Sequence, residues 1–251
     1  MPTVKLDWGV EGVKYALRDN DIVIIVDAIR FSSAVATAAA EGFTIYPVSD
    51  NEKGRALALE IGAELAGEAS GTGFSLSPLS YIKNDRHPNK RVVLASPNGA
   101  ACAALLKEND IGYIGCFLNA AAVARRAGRE ASESGRDITV IAAGEERAAE
   151  KDGRVYYVRE NSGRVFAPED YLGGGAIISY MTLPKDTDAI LCESTFLAVR
   201  NRLRDLLMES YSGRWLLQND AQKDLEYLLQ INYYDIIPVI NNGKIVNINN
   251  E

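Results

Sequence analysis

Residues 22–26 read Ile-Val-Ile-Ile-Val, and Asp27 follows at once. A strand with one wet face alternates apolar and polar residues, so an unbroken apolar run requires cover on both faces. Similar runs recur at 44–48, 92–95, 111–115, 138–143 and 236–240, and Ala- and Leu-rich stretches at 32–41, 51–62, 99–108, 119–133, 169–181, 187–211 and 219–230 have helical character. Short apolar strands alternating with helices predict an α/β fold, a three-layer α/β/α sandwich with a mostly parallel sheet. With 251 residues and 47% hydrophobic side chains the chain can bury a substantial core, and no linker or strict repeat is visible, so residues 1–251 are expected to form a single domain. The polar tail after residue 240 reads as a short terminal strand or a frayed end.

Composition narrows the chemistry. The net charge of −7 and the scattered Lys and Arg argue against nucleic acid as a partner, because a phosphate backbone needs clustered cations. No apolar run approaches the roughly 18 residues of a membrane span, and no signal peptide is evident, so a cytoplasmic protein without a membrane partner is expected. Three widely spaced cysteines fit reduced, buried thiols. The single histidine, His87, leaves little room for multi-histidine zinc sites or a Ser-His-Asp triad. The sequence does not fix the oligomeric state; a homodimer is kept as a candidate.

In a parallel sheet the strand C-termini share one edge, where helix N-termini gather anions. Four joints carry polar residues there: Asp27, Arg30, Ser32 and Ser33; Ser96, Asn98 and Gly99; Asn119; and Glu145 with Glu146. Most have a plain structural explanation. Ser32, Ser33 and Asn119 suit helix N-caps, each worth about 1 kcal/mol, and Asn98-Gly99 is an ordinary turn pair. Asp27 differs, since a carboxylate after five apolar residues is costly to bury without a cation or donor. Arg30 could supply an ion pair; alternatively Asp27 holds a metal and Arg30 forks onto a substrate oxyanion. Glu68 lies in a glycine-rich loop, and Pro168, Glu169 and Asp170 suit a helix's first turn. Gly173, Gly174 and Gly175, inside a helical run, suggest close approach of a backbone or ligand. Two long loops, 67–91 and 143–170, break the alternation, the second containing a predicted hairpin over 154–166 with its turn near 161–163. The inventory fits magnesium-assisted phosphoryl transfer. No cysteine has an arginine six positions on, and Asp27-Ala28-Ile29 lacks the second acid of an Asp-x-Asp motif.

At these residues the chain resembles the 2-phosphosulfolactate phosphatase (ComB-like) family. "VIIVDAIRFSSAVATAAAEGF", "LAGEASGTGFSLSP", "SPNGAACAALL", "GCFLNAAAVA" and "APEDYLGGGAIIS" follow the family's blocks in order over roughly residues 20–240. The resemblance implies an α/β/α sandwich and Mg²⁺-dependent hydrolysis of 2-phospho-3-sulfolactate to 3-sulfolactate and phosphate, as in coenzyme M biosynthesis. By motif match, Asp27, Arg30, Ser32, Ser33, Glu68, Asn98, Gly99, Asn119, Glu169 and Asp170 would line the site. Asp27 with Glu68 or Asp170 would hold Mg²⁺; Arg30 and the amides of Ser32, Ser33 and Gly99 would hold the anion. Ser75 stands where the family has an aspartate and Pro97 where it has a threonine. The alternatives are a phosphatase for another phosphorylated hydroxy acid, or a non-catalytic protein of the same fold that binds an anionic metabolite. Metal-dependent phosphate release separates the enzymes from the binder.

Overall fold

The structure, a computed structural model, describes residues 1–67, 73–82, 90–158 and 164–248. Eleven strands and ten α-helices are laid down among these residues. They run β1 (Val4–Trp8), α1 (Gly9–Arg18), β2 (Ile22–Val26), α2 (Phe31–Ala40), β3 (Thr44–Val48), α3 (Asn51–Ile61), β4 (Glu64–Ala66), β5 (Arg91–Ala95), α4 (Gly99–Ala103), β6 (Gly112–Ile114), α5 (Ala120–Ser134) and β7 (Ile138–Ala142). Then come the hairpin β8 (Ala148–Lys151) and β9 (Arg154–Tyr157), helices α6 (Pro168–Ile178), α7 (Thr187–Val199), α8 (Leu203–Glu209), α9 (Tyr211–Gln218) and α10 (Gln222–Leu228), and strands β10 (Pro238–Asn241) and β11 (Lys244–Asn247).

Nine strands form one sheet in the order β1-β7-β2-β6-β10-β11-β3-β5-β4. The expected α/β sandwich with a mostly parallel sheet is present: β1, β7, β2 and β6 pair in parallel, as do β3, β5 and β4. Alternate residues of β2 point to opposite layers. Ile22, Ile24 and Val26 pack with α5, α6 and α7, whereas Val23 and Ile25 pack with α1, α2 and α4. All five are fully buried, each worth about 1.5–3 kcal/mol relative to exposure.

One expectation about the edge is corrected. The terminal hairpin β10–β11 enters the middle of the sheet and pairs antiparallel with β6 on one side and β3 on the other. The strand ends therefore do not all share one edge of a flat sheet. Instead the sheet curls around α2, which packs against β3, β6, β10 and β11. Every residue of α2 from Phe31 to Ala39 is buried, as an Ala-rich helix without a polar face requires. The curl brings the end of β5 to the end of β2.

Other boundaries shift for local reasons. β1 escapes a search for apolar runs because Lys5 and Asp7 interrupt it; it is an edge strand, and Lys5 pairs with Asp21 and Asp137 at 3.0 and 2.8 Å. The predicted hairpin over 154–166 forms one strand earlier, between β8 and β9, and turns at Asp152-Gly153, both at positive φ. Its anticipated turn at 161–163 lies outside the described residues. The single helix expected over 187–211 breaks after Val199, passes through a 3-10 turn at Arg200–Arg202, and ends at Ser210. Ser210 adopts extended geometry and its hydroxyl caps α9 by accepting from Gly213 N at 3.0 Å. Among the described residues, no helix is long and apolar enough to cross a membrane.

The glycine run does reflect close approach. A Cβ on Gly173 would lie 2.9 Å from Val26, and one on Gly175 would lie 2.6 Å from the Cys192 carbonyl oxygen. Thus α6 lies flush on the end of β2 and on the backbone of α7. Because backbone cannot step aside as a side-chain tip can, Gly175→Ala is expected to destabilise the fold by about 1–3 kcal/mol. An unchanged denaturant midpoint would contradict that contact.

Candidate functional site

The apolar run of β2 ends inside the molecule, so Asp27 is delivered to a place with almost no water; it is 3% exposed. Its carboxylate is held by the loop that follows β5. Oδ2 accepts from Gly99 N at 2.7 Å and from the Ser96 hydroxyl at 3.2 Å, and Oδ1 accepts from Phe31 N at 3.3 Å. Gly99 is required here: a Cβ would lie 2.4 Å from Phe31 and 2.7 Å from the Asp27 Cβ. Asn98, at the N-cap of α4, donates from Nδ2 to Glu145 Oε1 at 2.7 Å. Glu145 comes from the segment after β7.

The first turn of α6 supplies two more acids, behind Pro168 at the helix start. Asp170 accepts from Ala28 N at 2.8 Å and Gly144 N at 3.0 Å, one on each oxygen. It therefore ties together the chain after β2 and the chain after β7. Glu169, 1% exposed, accepts through Oε1 a hydrogen bond from the Ser212 hydroxyl. Its other oxygen, Oε2, is buried without a partner, as is Asn98 Oδ1. Among the described residues only one further buried side-chain atom, Arg214 Nε, shares that condition.

Three buried acids and the half-buried Glu145 thus crowd one corner, and their electrostatics follow. Burial raises the Asp27, Glu169 and Asp170 carboxyls above their ordinary range; for Asp170, the Asp27 and Glu169 charges add to the burial. Glu145 is pushed up to about 7, first by burial and then by the Asp27 charge. Arg164 acts weakly in the other direction on Asp27; it donates to Pro97 O at 2.7 Å and pairs with Glu146 at 3.4 Å. A cavity of about 530 Å³ opens beside this corner, lined by Glu145, Glu169, Tyr157, Ser212 and Arg214. A second, of about 480 Å³, is lined by Arg164, Gly144 and Trp8, and both share Val165 and Phe166 as walls.

The residues anticipated from sequence divide clearly. Asp27, Asn98, Gly99, Glu169 and Asp170 come together. Ser32 and Ser33 are not N-caps, because α2 begins at Phe31 with Arg30 as its cap. The Ser32 hydroxyl accepts from Asp27 N at 2.9 Å and the Ser33 hydroxyl donates to Ala28 O at 2.9 Å, so both hold the strand-to-helix turn rather than facing a cavity. Asn119 is fully buried and bonds Cys116 N and Ile114 O. Arg30 does not pair with Asp27. Its guanidinium meets Asp224 at 2.6 Å and lies over the Trp215 ring at 5.6 Å, while Asp224 also accepts from Ser77 at 2.5 Å. The "GFSLSP" loop is thereby fastened to Arg30. Glu68 and His87 lie outside the described residues.

Sequence reasoning left three neighbours of the site unmarked: Arg164, Tyr157 and Ser212. Each reaches the site through tertiary contact alone, and none sits in a motif that would single it out.

Magnesium takes oxygen ligands, often only one or two carboxylates beside substrate phosphate and water. Among the described residues no three of His, Cys, Asp and Glu form a ready cage. The donor set nonetheless fits such a cation. Glu169 Oε2 and Asn98 Oδ1 are partnerless oxygens, and a dication would relieve the mutual repulsion of the four acids.

The sequence profile described as 2-phosphosulpholactate phosphatase matches residues 10–243. A protein of Caldanaerobacter subterraneus named probable 2-phosphosulfolactate phosphatase is 27% identical over 91% of this chain and 92% of its own. Proteins of the same name from Carboxydothermus hydrogenoformans and Symbiobacterium thermophilum are 28% and 27% identical, over 88% and 90% of this chain and 86% and 93% of theirs. The chain belongs to the 2-phosphosulfolactate phosphatase family.

Proposed function

We propose that this family member is a phosphoric monoester hydrolase that converts 2-phospho-3-sulfolactate to 3-sulfolactate and inorganic phosphate, with Mg²⁺ at the buried acids, as a step toward coenzyme M. The observation that carries the reading is the convergence of Asp27, Asn98, Glu145 and Glu169 beside a cavity, with two of their oxygens unpartnered.

Hydrolysis breaks the bond between phosphorus and the ester oxygen and forms one to the oxygen of water. Water loses a proton and the departing alkoxide gains one. Glu169 is suited to the second transfer. Burial favours its protonated form, and Oε1 is occupied by the Ser212 hydroxyl, which leaves the proton on Oε2. Glu145, poised near neutrality, is suited to accept the proton from water. Asp27 and Asn98 Oδ1 are the groups that would hold magnesium beside Glu145, and when bound it would neutralise phosphate charge and stabilise the transition state. Asp170 accepts a backbone N–H on each oxygen at 2.8 and 3.0 Å, whereas Asp27 Oδ1 meets only the long 3.3 Å contact from Phe31 N, so Asp170 is assigned to holding the joints and Asp27 keeps the metal-ligand role anticipated from sequence. Arg164, which lines the neighbouring 480 Å³ cavity and whose charge reaches Asp27, is assigned to the substrate's second anionic group, whereas Arg30 is engaged by Asp224.

Phosphate release from 2-phospho-3-sulfolactate, 2-phospholactate and 3-phosphoglycerate, each with and without MgCl₂, tests the reading. The expected result is magnesium-dependent turnover with phosphosulfolactate preferred. Preference for either of the other two substrates would move the assignment to another hydroxy acid ester, and anion binding without turnover would make the protein a metabolite binder.

A further inference from the structure

Among the described residues a single side chain hydrogen-bonds the Glu169 carboxyl, and that side chain is itself held from a separate element. Ser212, 3% exposed at the start of α9, donates to Glu169 Oε1, and the Tyr157 hydroxyl on β9 donates to Ser212 Oγ at 3.1 Å. The donors stand in series, Tyr157 giving its proton to the Ser212 oxygen and Ser212 giving its own to Glu169. The β8–β9 hairpin is docked on α9 by three further contacts: Val155 N to Gln218 Oε1 at 3.0 Å, Gln218 Nε2 to Gly153 O at 3.2 Å, and Arg214 to Glu150 at 2.6 Å. Tyr157 also packs on Trp215 at 6.1 Å between ring centres. Tyr157, Ser212 and Glu169 all line the 530 Å³ cavity, and the chain of donors ends at the one Glu169 oxygen that does not need to be free.

We propose that Ser212 and Tyr157 are positioning residues for Glu169, fixing its carboxyl so that Oε2 is the oxygen left free to carry the proton. The inference rests on the role given to Glu169 above. Without the serine hydroxyl, a carboxyl on three rotatable side-chain bonds loses the one side-chain anchor that the described residues give it, and the fraction of molecules with Oε2 correctly aimed falls. Substrate affinity, set by other groups, does not.

The test is a double-mutant cycle in steady-state phosphate release from 2-phospho-3-sulfolactate with saturating MgCl₂. Ser212→Ala is expected to lower kcat about tenfold or more with KM within about twofold, and Tyr157→Phe to lower kcat by a smaller factor in the same direction. In a Glu169→Gln background both substitutions are expected to be nearly silent, because there is no longer an acid to aim. Equal losses in the two backgrounds, or no loss in either, overturn the inference alone. Full turnover by Glu169→Gln itself overturns the role of Glu169 and this inference with it. Tyr157→Phe removes one hydroxyl and no packing volume, so it keeps the test decisive if Ser212→Ala folds poorly.

Discussion

Asp27→Asn is expected to reduce phosphate release by on the order of 10³-fold or more while leaving the fold intact. The substitution keeps the shape of the side chain and an oxygen for Gly99 N and the Ser96 hydroxyl, which hold Oδ2 at 2.7 and 3.2 Å. It removes the negative charge, which burial already opposes. The thermal midpoint should therefore stay level or rise, since a carboxylate whose charge burial opposes is replaced by a neutral amide. Loss of activity accompanied by unfolding would instead make Asp27 a structural residue. Near-normal turnover would remove it from the chemistry.

The second large effect is a pH dependence opposite to that of most proteins. Glu145 titrates near 4.5 when unperturbed and is pushed up to about 7 in the fold. Between these values the folded chain keeps a proton that the unfolded chain has released, so stability falls as pH rises from about 4.5 to about 7. Asp27, Glu169 and Asp170 are shifted the same way and add to the slope. The carboxyls shifted downward, Asp50, Asp137 and Glu226, titrate at or below their ordinary values of 3.8 and 4.5, so they are largely ionised in both states by about pH 5.5 and leave the interval from there to pH 8 nearly unaffected. Between pH 5.5 and pH 8 Glu145 alone accounts for about 2 kcal/mol, so the metal-free protein is expected to melt several degrees higher at pH 5.5 than at pH 8. Magnesium favours the ionised acids, so saturating MgCl₂ should flatten or reverse the difference. A midpoint that rises between pH 5.5 and pH 8 without metal would show that the acids are solvated or otherwise neutralised.

The parts of the site legible in sequence are those where an apolar run meets a polar group that it cannot tolerate. Asp27 after "IVIIV", Asn98-Gly99 after "VVLA" and Glu169-Asp170 behind Pro168 all announce themselves this way, and the fold carries them to one corner. Ser32, Ser33 and Asn119 carried the same signal but satisfy local backbone. A hydroxyl or amide near a helix start serves either purpose, and the spacing does not distinguish them. Arg30 shows the opposite failure. Its partner Asp224 lies 194 positions away, in a helix that no local pattern connects to β2. The insertion of β10–β11 into the sheet was equally hidden, because an edge or frayed tail and a central strand of four residues read alike. Yet that insertion separates the two parallel halves that the curl reunites at Asp27.

The most direct test of the account is calorimetric titration of MgCl₂ into the purified protein at pH 6.5, in two buffers of different ionisation enthalpy. The account predicts binding accompanied by proton release, since a cation at Asp27, beside Glu145, favours loss of the proton that burial holds on Glu145, and loss of that binding in Asp27→Asn. Absence of binding, or binding that releases no protons and survives Asp27→Asn unchanged, would contradict it.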